Sequence, residues 1–101
     1  MIKVEKENAK RAVVFLPEKI NIANSPELKD KLQALFDEGI NEIVVNFSQT
    51  KMVDSSCLGK LLMFQKKLKE RQGELIIAEV TSNYINKMFN MLQLQKVIKI
   101  E

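Results

Sequence analysis

Ile43-Val44-Val45-Asn46-Phe47-Ser48-Gln49-Thr50-Lys51-Met52-Val53-Asp54-Ser55-Ser56-Cys57-Leu58-Gly59 is the stretch that decides the fold. Residues 43–47 are apolar and β-branched on consecutive positions, which argues for a central strand. Residues 48–54 are polar enough for a loop. A helix starts near Ser55, with Leu58, Leu61, Leu62 and Leu68 inward, Met63 and Phe64 widening the apolar face, and Gly73 closing it. Leu75-Ile76-Ile77-Ala78 is then a second strand. Two strands joined through a helix imply a right-handed crossover and parallel pairing.

The same grammar extends in both directions. Toward the C-terminus, Thr81-Ser82-Asn83 offers a helix cap, and Ile85, Met88, Phe89 and Leu92 form an i, i+3, i+4, i+7 stripe. Val97-Ile98-Lys99-Ile100 reads as a last strand. Toward the N-terminus, Ile2 to Glu5 alternates apolar and charged residues. Glu7-Asn8-Ala9-Lys10 suits a hairpin turn, and Ala12 to Leu16 is a buried strand ended by Pro17. Residues 18–24 read as a loop. Ser25-Pro26-Glu27 opens a helix, with Ser25 as cap, Leu28, Leu32, Leu35 and Phe36 inward, and Gly39 in the left-handed position at its end. The order β-β-α-β-α-β-α-β predicts an α/β domain over 1–101, a mixed sheet of four or five strands with helices on at least one face. Sites on such sheets lie beyond the carboxyl ends of the strands, here residues 17–25, 48–57 and 79–83.

Composition narrows the chemistry. The chain has 101 residues, 46% hydrophobic and 29% charged, enough for one core without staples. A single cysteine forbids an internal disulfide. With no histidine, neither a Ser-His-Asp constellation nor a zinc site of the usual ligands is available. No apolar run is long enough to span a bilayer, and the start Met1 to Glu5 is not a targeting peptide, so a cytoplasmic home is expected. Sixteen basic against thirteen acidic residues is a mild excess. Its local expression, Lys66, Lys67, Lys69 and Arg71, reads as a solvated helix face complementing the dipole, without aromatics for base stacking. No direct nucleic-acid or membrane binding and no cofactor are expected.

Asp54-Ser55-Ser56 places three capping-type residues in a row where one suffices. A spare hydroxyl at a helix N-terminus sits in positive potential, where a phosphoryl group is well accommodated. Cys57 reads as a small, partly buried side chain; its alternative, a thiol activated by the helix N-terminus, lacks a base or second cysteine. The pattern Asp54-Ser55-Ser56-Cys57-Leu58-Gly59 after a strand and loop resembles the Asp-Ser-Ser/Thr-Gly-Leu-Gly motif of STAS domains, most closely the small bacterial anti-sigma factor antagonists. Phe15-Leu16, Ser25-Pro26-Glu27-Leu28, the run 43–47 and Gly73-Glu74-Leu75 follow in that family's order. The resemblance implies a non-enzymatic binding module that engages an anti-sigma factor serine kinase. It implies release by phosphorylation of Ser55 and resetting by a phosphatase. Asn21, Ser25, Asp54, Ser56, Cys57 and Leu58 would form the partner-binding edge, and the free chain would be a monomer or weak dimer. Three departures stand out: Cys57 for glycine, where a side chain would crowd the approach of a kinase's nucleotide phosphates; Asn21 for a frequent acid; and Glu18 for glycine. The alternative within the resemblance is a STAS scaffold or transporter-associated subunit that is never phosphorylated.

Overall fold

In the computed structural model, which describes residues 1–101, the run 42–46 forms β4 (Glu42–Asn46) at the centre of a five-stranded sheet. Its neighbours are β2 (Arg11–Phe15) and β6 (Glu74–Ala78), both parallel to it. β1 (Lys3–Lys6) closes one edge antiparallel to β2, and β7 (Lys99–Ile100) closes the other, parallel to β6. The hairpin turn between β1 and β2 is held by Asn8, whose side-chain oxygen accepts from the N–H groups of Lys10 and Arg11. The sheet is mixed for one local reason: only the opening connection is short enough to reverse the chain.

Register assigns the faces. Ile43, Val45 and Phe47 point into a 24-residue cluster with Val14, Leu75 and Ile77 from neighbouring strands. Leu28, Leu32 and Leu35 of α1 (Ser25–Asp37) join it. So do Leu61, Phe64 and Leu68 of α2 (Ser55–Lys69) and Ile85 and Phe89 of α3 (Asn83–Met91). All three helices therefore feed one core. The opposite sheet face carries a small strand-only cluster of Val44, Ile76 and Ala78 with Val13 beside it.

Two segments read as loops contain strands. β3 (Lys19–Ile20) and β5 (Met52–Val53) pair parallel, Lys19 with Met52 and Ile20 with Val53. Two residues carry no period, so only the tertiary pairing reveals them. Ser25 does not cap α1: Asn24 holds the N-cap position and Ser25 is buried as the first helical residue. Gly39 takes φ +90°, and Ile40 N–H bonds the Leu35 carbonyl, closing α1 as expected. At the end of α2 the left-handed residue is Gln72 (φ 66°), not Gly73. Gly73 is needed for space instead, since a Cβ there would lie 2.3 Å from the Asn41 carbonyl oxygen. Leu62 faces outward with Met63, and buried Gln65 takes the inward place. Its side chain accepts from Leu75 N–H at 2.8 Å and donates to the Val97 carbonyl at 3.2 Å, which satisfies the buried amide. Residues 97–100 are only half strand, because a 3₁₀ turn over Leu94–Lys96 precedes β7 and leaves Val97 exposed. The basic cluster is not simply solvated. Lys67 Nζ lies 4.8 and 4.7 Å from the Phe36 and Phe64 ring centroids, and the Arg71 guanidinium stacks 3.7 Å from Phe36. Those two cations join α1 to α2.

Candidate functional site

The β3–β5 pair extends the carboxyl edge of the main sheet and fixes the start of α2. Asp54 N–H donates to the Ile20 carbonyl at 3.2 Å. Asn21 follows Ile20 directly, so the pairing brings Asn21 and Asp54 to one crevice of about 70 Å3, also lined by Lys19, Ile20, Met52 and Val53. The turn carrying Asn21 holds itself. Asn24 Oδ1 accepts from Asn21 N–H, Asn24 Nδ2 donates to the Lys19 carbonyl, and Asn21 Oδ1 accepts from Ala23 N–H. Asn21 thus keeps the acceptor a carboxylate would supply to the turn. Its neighbour in the chain, Ile22, is left 78% exposed, and Met52 of the crevice is exposed as well.

Asp54 is the N-cap of α2. One carboxylate oxygen accepts from Ser56 N–H at 3.0 Å, Cys57 N–H at 3.3 Å and the Ser56 hydroxyl at 2.5 Å. The Ser56 hydroxyl bond, opposed by desolvation and aided by the N–H groups of Cys57, Ser56 and Ile22, holds the carboxyl below its ordinary value of 3.8. Asp54 is therefore a charged cap at neutral pH. The three polar residues divide their roles: Asp54 caps, the Ser56 hydroxyl is spent on Asp54, and the exposed Ser55 hydroxyl makes no hydrogen bond within the chain. Ser55 is also the first residue of α2, at the positive end of its dipole.

Cys57 and Leu58 point the other way. Cys57 is fully buried, and burial, with the Asp54 charge adding to it, pushes its thiol up to about 12. The activated-thiol reading is overturned: the apolar core outweighs the helix N-terminus. Burial also means that the side chain at 57 points into the core and does not stand at the surface to crowd a kinase's nucleotide phosphates. Ser25 and Leu58 are likewise buried. Of the sequence-derived edge residues, Asn21, Asp54, Ser55 and Ser56 come together at the surface, while Ser25, Cys57 and Leu58 support them from below.

Gly59, Ile22 and Met52 were not singled out from the sequence. Gly59 lies one turn beyond Ser55 on the exposed side of α2. It has ordinary helical backbone, and a Cβ there would meet nothing within 4 Å. No internal contact explains the glycine, so its place in the motif was the available signal. No group of three His, Cys, Asp or Glu side chains comes together to hold a metal ion, and no helix is long and apolar enough to cross a membrane.

Comparison with known proteins bears on the fold and the family. Among curated proteins, BtrV of Bordetella bronchiseptica, named provisionally as an anti-sigma factor antagonist, is 31% identical over 61 residues. That stretch is 60% of this chain and spans about half of the relative, 53% of its length. The unphosphorylated anti-sigma factor antagonist SpoIIAA superposes over all of this chain and 87% of its own, with TM-score 0.80 and 20% identity. The phosphorylated form of SpoIIAA from Bacillus gives TM-score 0.79 at 20% identity, covering 100% of this chain and 91% of that one. These two likenesses establish the fold: three helices on a five-stranded mixed sheet. The family model of the STAS domain matches residues 2–101, and this chain belongs to the STAS domain family.

Proposed function

We propose that this chain is an anti-sigma factor antagonist: it binds an anti-sigma factor that is also a serine kinase, and phosphorylation of Ser55 ends the binding. Anti-sigma factor antagonists of the STAS type are non-enzymatic regulatory proteins. The observation that carries the reading is the division of labour at the start of α2. Ser55 is the one hydroxyl of the motif that is exposed and unspent, held at a rigid helix N-terminus by the Asp54 cap. Asn21, Ile22, Met52 and Gly59 supply the surrounding contact surface in the cytoplasm.

The switch follows from electrostatics. A phosphoryl group adds about −1.5 to −2 charge at neutral pH. The α2 dipole tolerates it, so the fold is kept. The Asp54 carboxylate beside it makes the edge doubly anionic. Burying that charge unpaired against a partner costs several kcal/mol, on the order of a thousandfold in affinity. A phosphatase restores the binding form. The test is titration of the partner kinase, without nucleotide, with Ser55→Ala and Ser55→Asp. Retained binding by the first and loss by the second is expected; equal binding by both refutes the switch at Ser55.

A further inference from the structure

One face of the sheet has no helix packed on it. Every buried apolar residue of α1, α2 and α3 lies in the core on the other face. The uncovered face is apolar at its centre and charged at its edges. Strand register places Glu5, Val13, Val44, Ile76 and Lys99 in one row across all five strands. Val44 and Ile76 are buried among their strand neighbours, and Val13 is half-buried beside them. The row is thus an apolar band with an acid at one end and a base at the other. The edge charges form two ion pairs in opposite order. On β1, Lys3 lies beside Phe15, toward the carboxyl ends of the parallel strands, and pairs with Glu5 at 3.6 Å. On β7, Lys99 pairs at 3.4 Å with Glu101, which lies toward that same end. Toward the other end of the strands, register aligns Arg11, Glu42 and Glu74.

This pattern is complementary to itself. Two sheets packed face to face keep their strands nearly aligned. A two-fold axis along β4 then sets Glu5 against Lys99 of a second copy, Lys3 against its Glu101 and Arg11 against its Glu74, each contact made twice. Val13 meets Ile76, and Val44 meets itself on the axis. Glu42 also lies on the axis, where Arg11 of its own chain answers its charge. The long Lys, Arg and Glu side chains span the offset that an angle of about 30° between the sheets introduces. An axis across the strands would instead set Glu5 on Glu5 and Lys99 on Lys99, so charge selects one orientation. The mixed signs give a nucleic acid or an anionic membrane no net attraction. We propose that this face docks a second copy of the chain, as a two-fold dimer whose sheets stack with their strands parallel. Five strands at about 4.8 Å by five residues at about 3.3 Å make a face of roughly 400 Å2 per copy. The roughly 800 Å2 covered in a pair falls short of the about 1,200 Å2 of stable complexes, so the dimer is weak and reversible. The face lies across the sheet from α2 and stands or falls independently of Ser55.

The test is sedimentation velocity of the protein from about 10 μM to about 1 mM, with amide chemical shifts followed over the same range. Reversible dimerisation that weakens with added salt is expected, with concentration-dependent shifts centred on residues 11–15, 42–46 and 74–78. Glu5→Lys and Lys99→Glu each create two like-charge contacts in the dimer and should each weaken it about fivefold or more. Both side chains are more than half exposed, so the fold is kept. The two variants mixed, or both changes in one chain, recreate the opposite-charge contacts and should restore the affinity. Glu5→Lys combined with Lys87→Glu on α3 has the same net charge and should not. A chain that stays monomeric to about 1 mM overturns the proposal. So does association that the single reversals leave unchanged, that Lys87→Glu restores as well as Lys99→Glu does, or whose shifts are confined to the helices.

Discussion

Replacing Gly59 by alanine should raise stability and lower partner binding, and the two effects together are diagnostic. Gly59 has helical backbone in the interior of α2, and a Cβ there would stand in open space. No contact is lost and none is strained. What changes is backbone entropy and helix propensity, worth about 0.5–1 kcal/mol in favour of alanine. For a domain near 100 residues, 1 kcal/mol moves the melting temperature by roughly 4–8 °C, so a rise of about 2–8 °C is expected. Urea unfolding should show a higher midpoint at unchanged slope. Gly59 also lies four residues beyond Ser55, on the same face of the helix. If a partner packs against that face, the new methyl group occupies its path, and overpacking a close contact costs about 1–3 kcal/mol. Partner affinity should then fall about 5- to 150-fold. A melting temperature that drops would refute the placement of Gly59 on an open helix surface. Undiminished partner affinity would refute that surface as the interface.

Gly73→Ala should go the opposite way, because its Cβ would lie 2.3 Å from the Asn41 carbonyl oxygen, which accepts from Glu74 N–H at 2.8 Å. Spreading that junction should cost about 2–3 kcal/mol, read as a lower urea midpoint. Cys57 should resist thiol reagents at pH 8 in the native protein and react only on unfolding. The folded thiol is raised to about 12 from 9.0, so its contribution to stability is complete below pH 9 and is lost as pH rises toward 12. The slope is at most about 1.4 kcal/mol per pH unit, and unfolding of Cys57→Ala should lack that component. Asp54 is shifted the other way, below 3.8, so its contribution is present above that value and is lost as pH falls through the folded value. The stability difference between wild type and Asp54→Asn should therefore shrink on acidification, measured by urea midpoints at pH 6 and below.

Local chemistry was legible in the sequence, and pairing between distant segments was not. The central position of 43–47 was readable because β-branched density is a property of the run itself, and the Asp54 cap because its bonds close within three residues. β3 and β5 escaped because each is two residues long and exists only through the other. That pair is what carries Asn21 to Asp54, so the candidate residues could be named from the sequence but their crevice could not. On α2, Leu62 and Met63 competed with Phe64 and Gln65 for the inward face. Hydrophobicity pointed to the leucine, but the Leu75 amide required the glutamine. Ser25 does not cap α1: Asn24 holds the N-cap position without a side-chain capping bond, its side chain being spent on Lys19 and Asn21. Both are capping-type residues, and only the fold of the preceding turn decides which stands at the N-cap position. Lys67 and Arg71 looked like solvated charges because Phe36 comes from another helix.

The central claim is that Ser55 carries a regulatory phosphoryl group. The most direct measurement is intact mass and peptide mapping of the protein isolated from its native cells, with and without phosphatase treatment. One phosphatase-sensitive phosphoryl group on Ser55, and none on Ser56, is the predicted result. Unmodified Ser55 across growth conditions, or a phosphoryl group on Ser56 instead, would contradict the account.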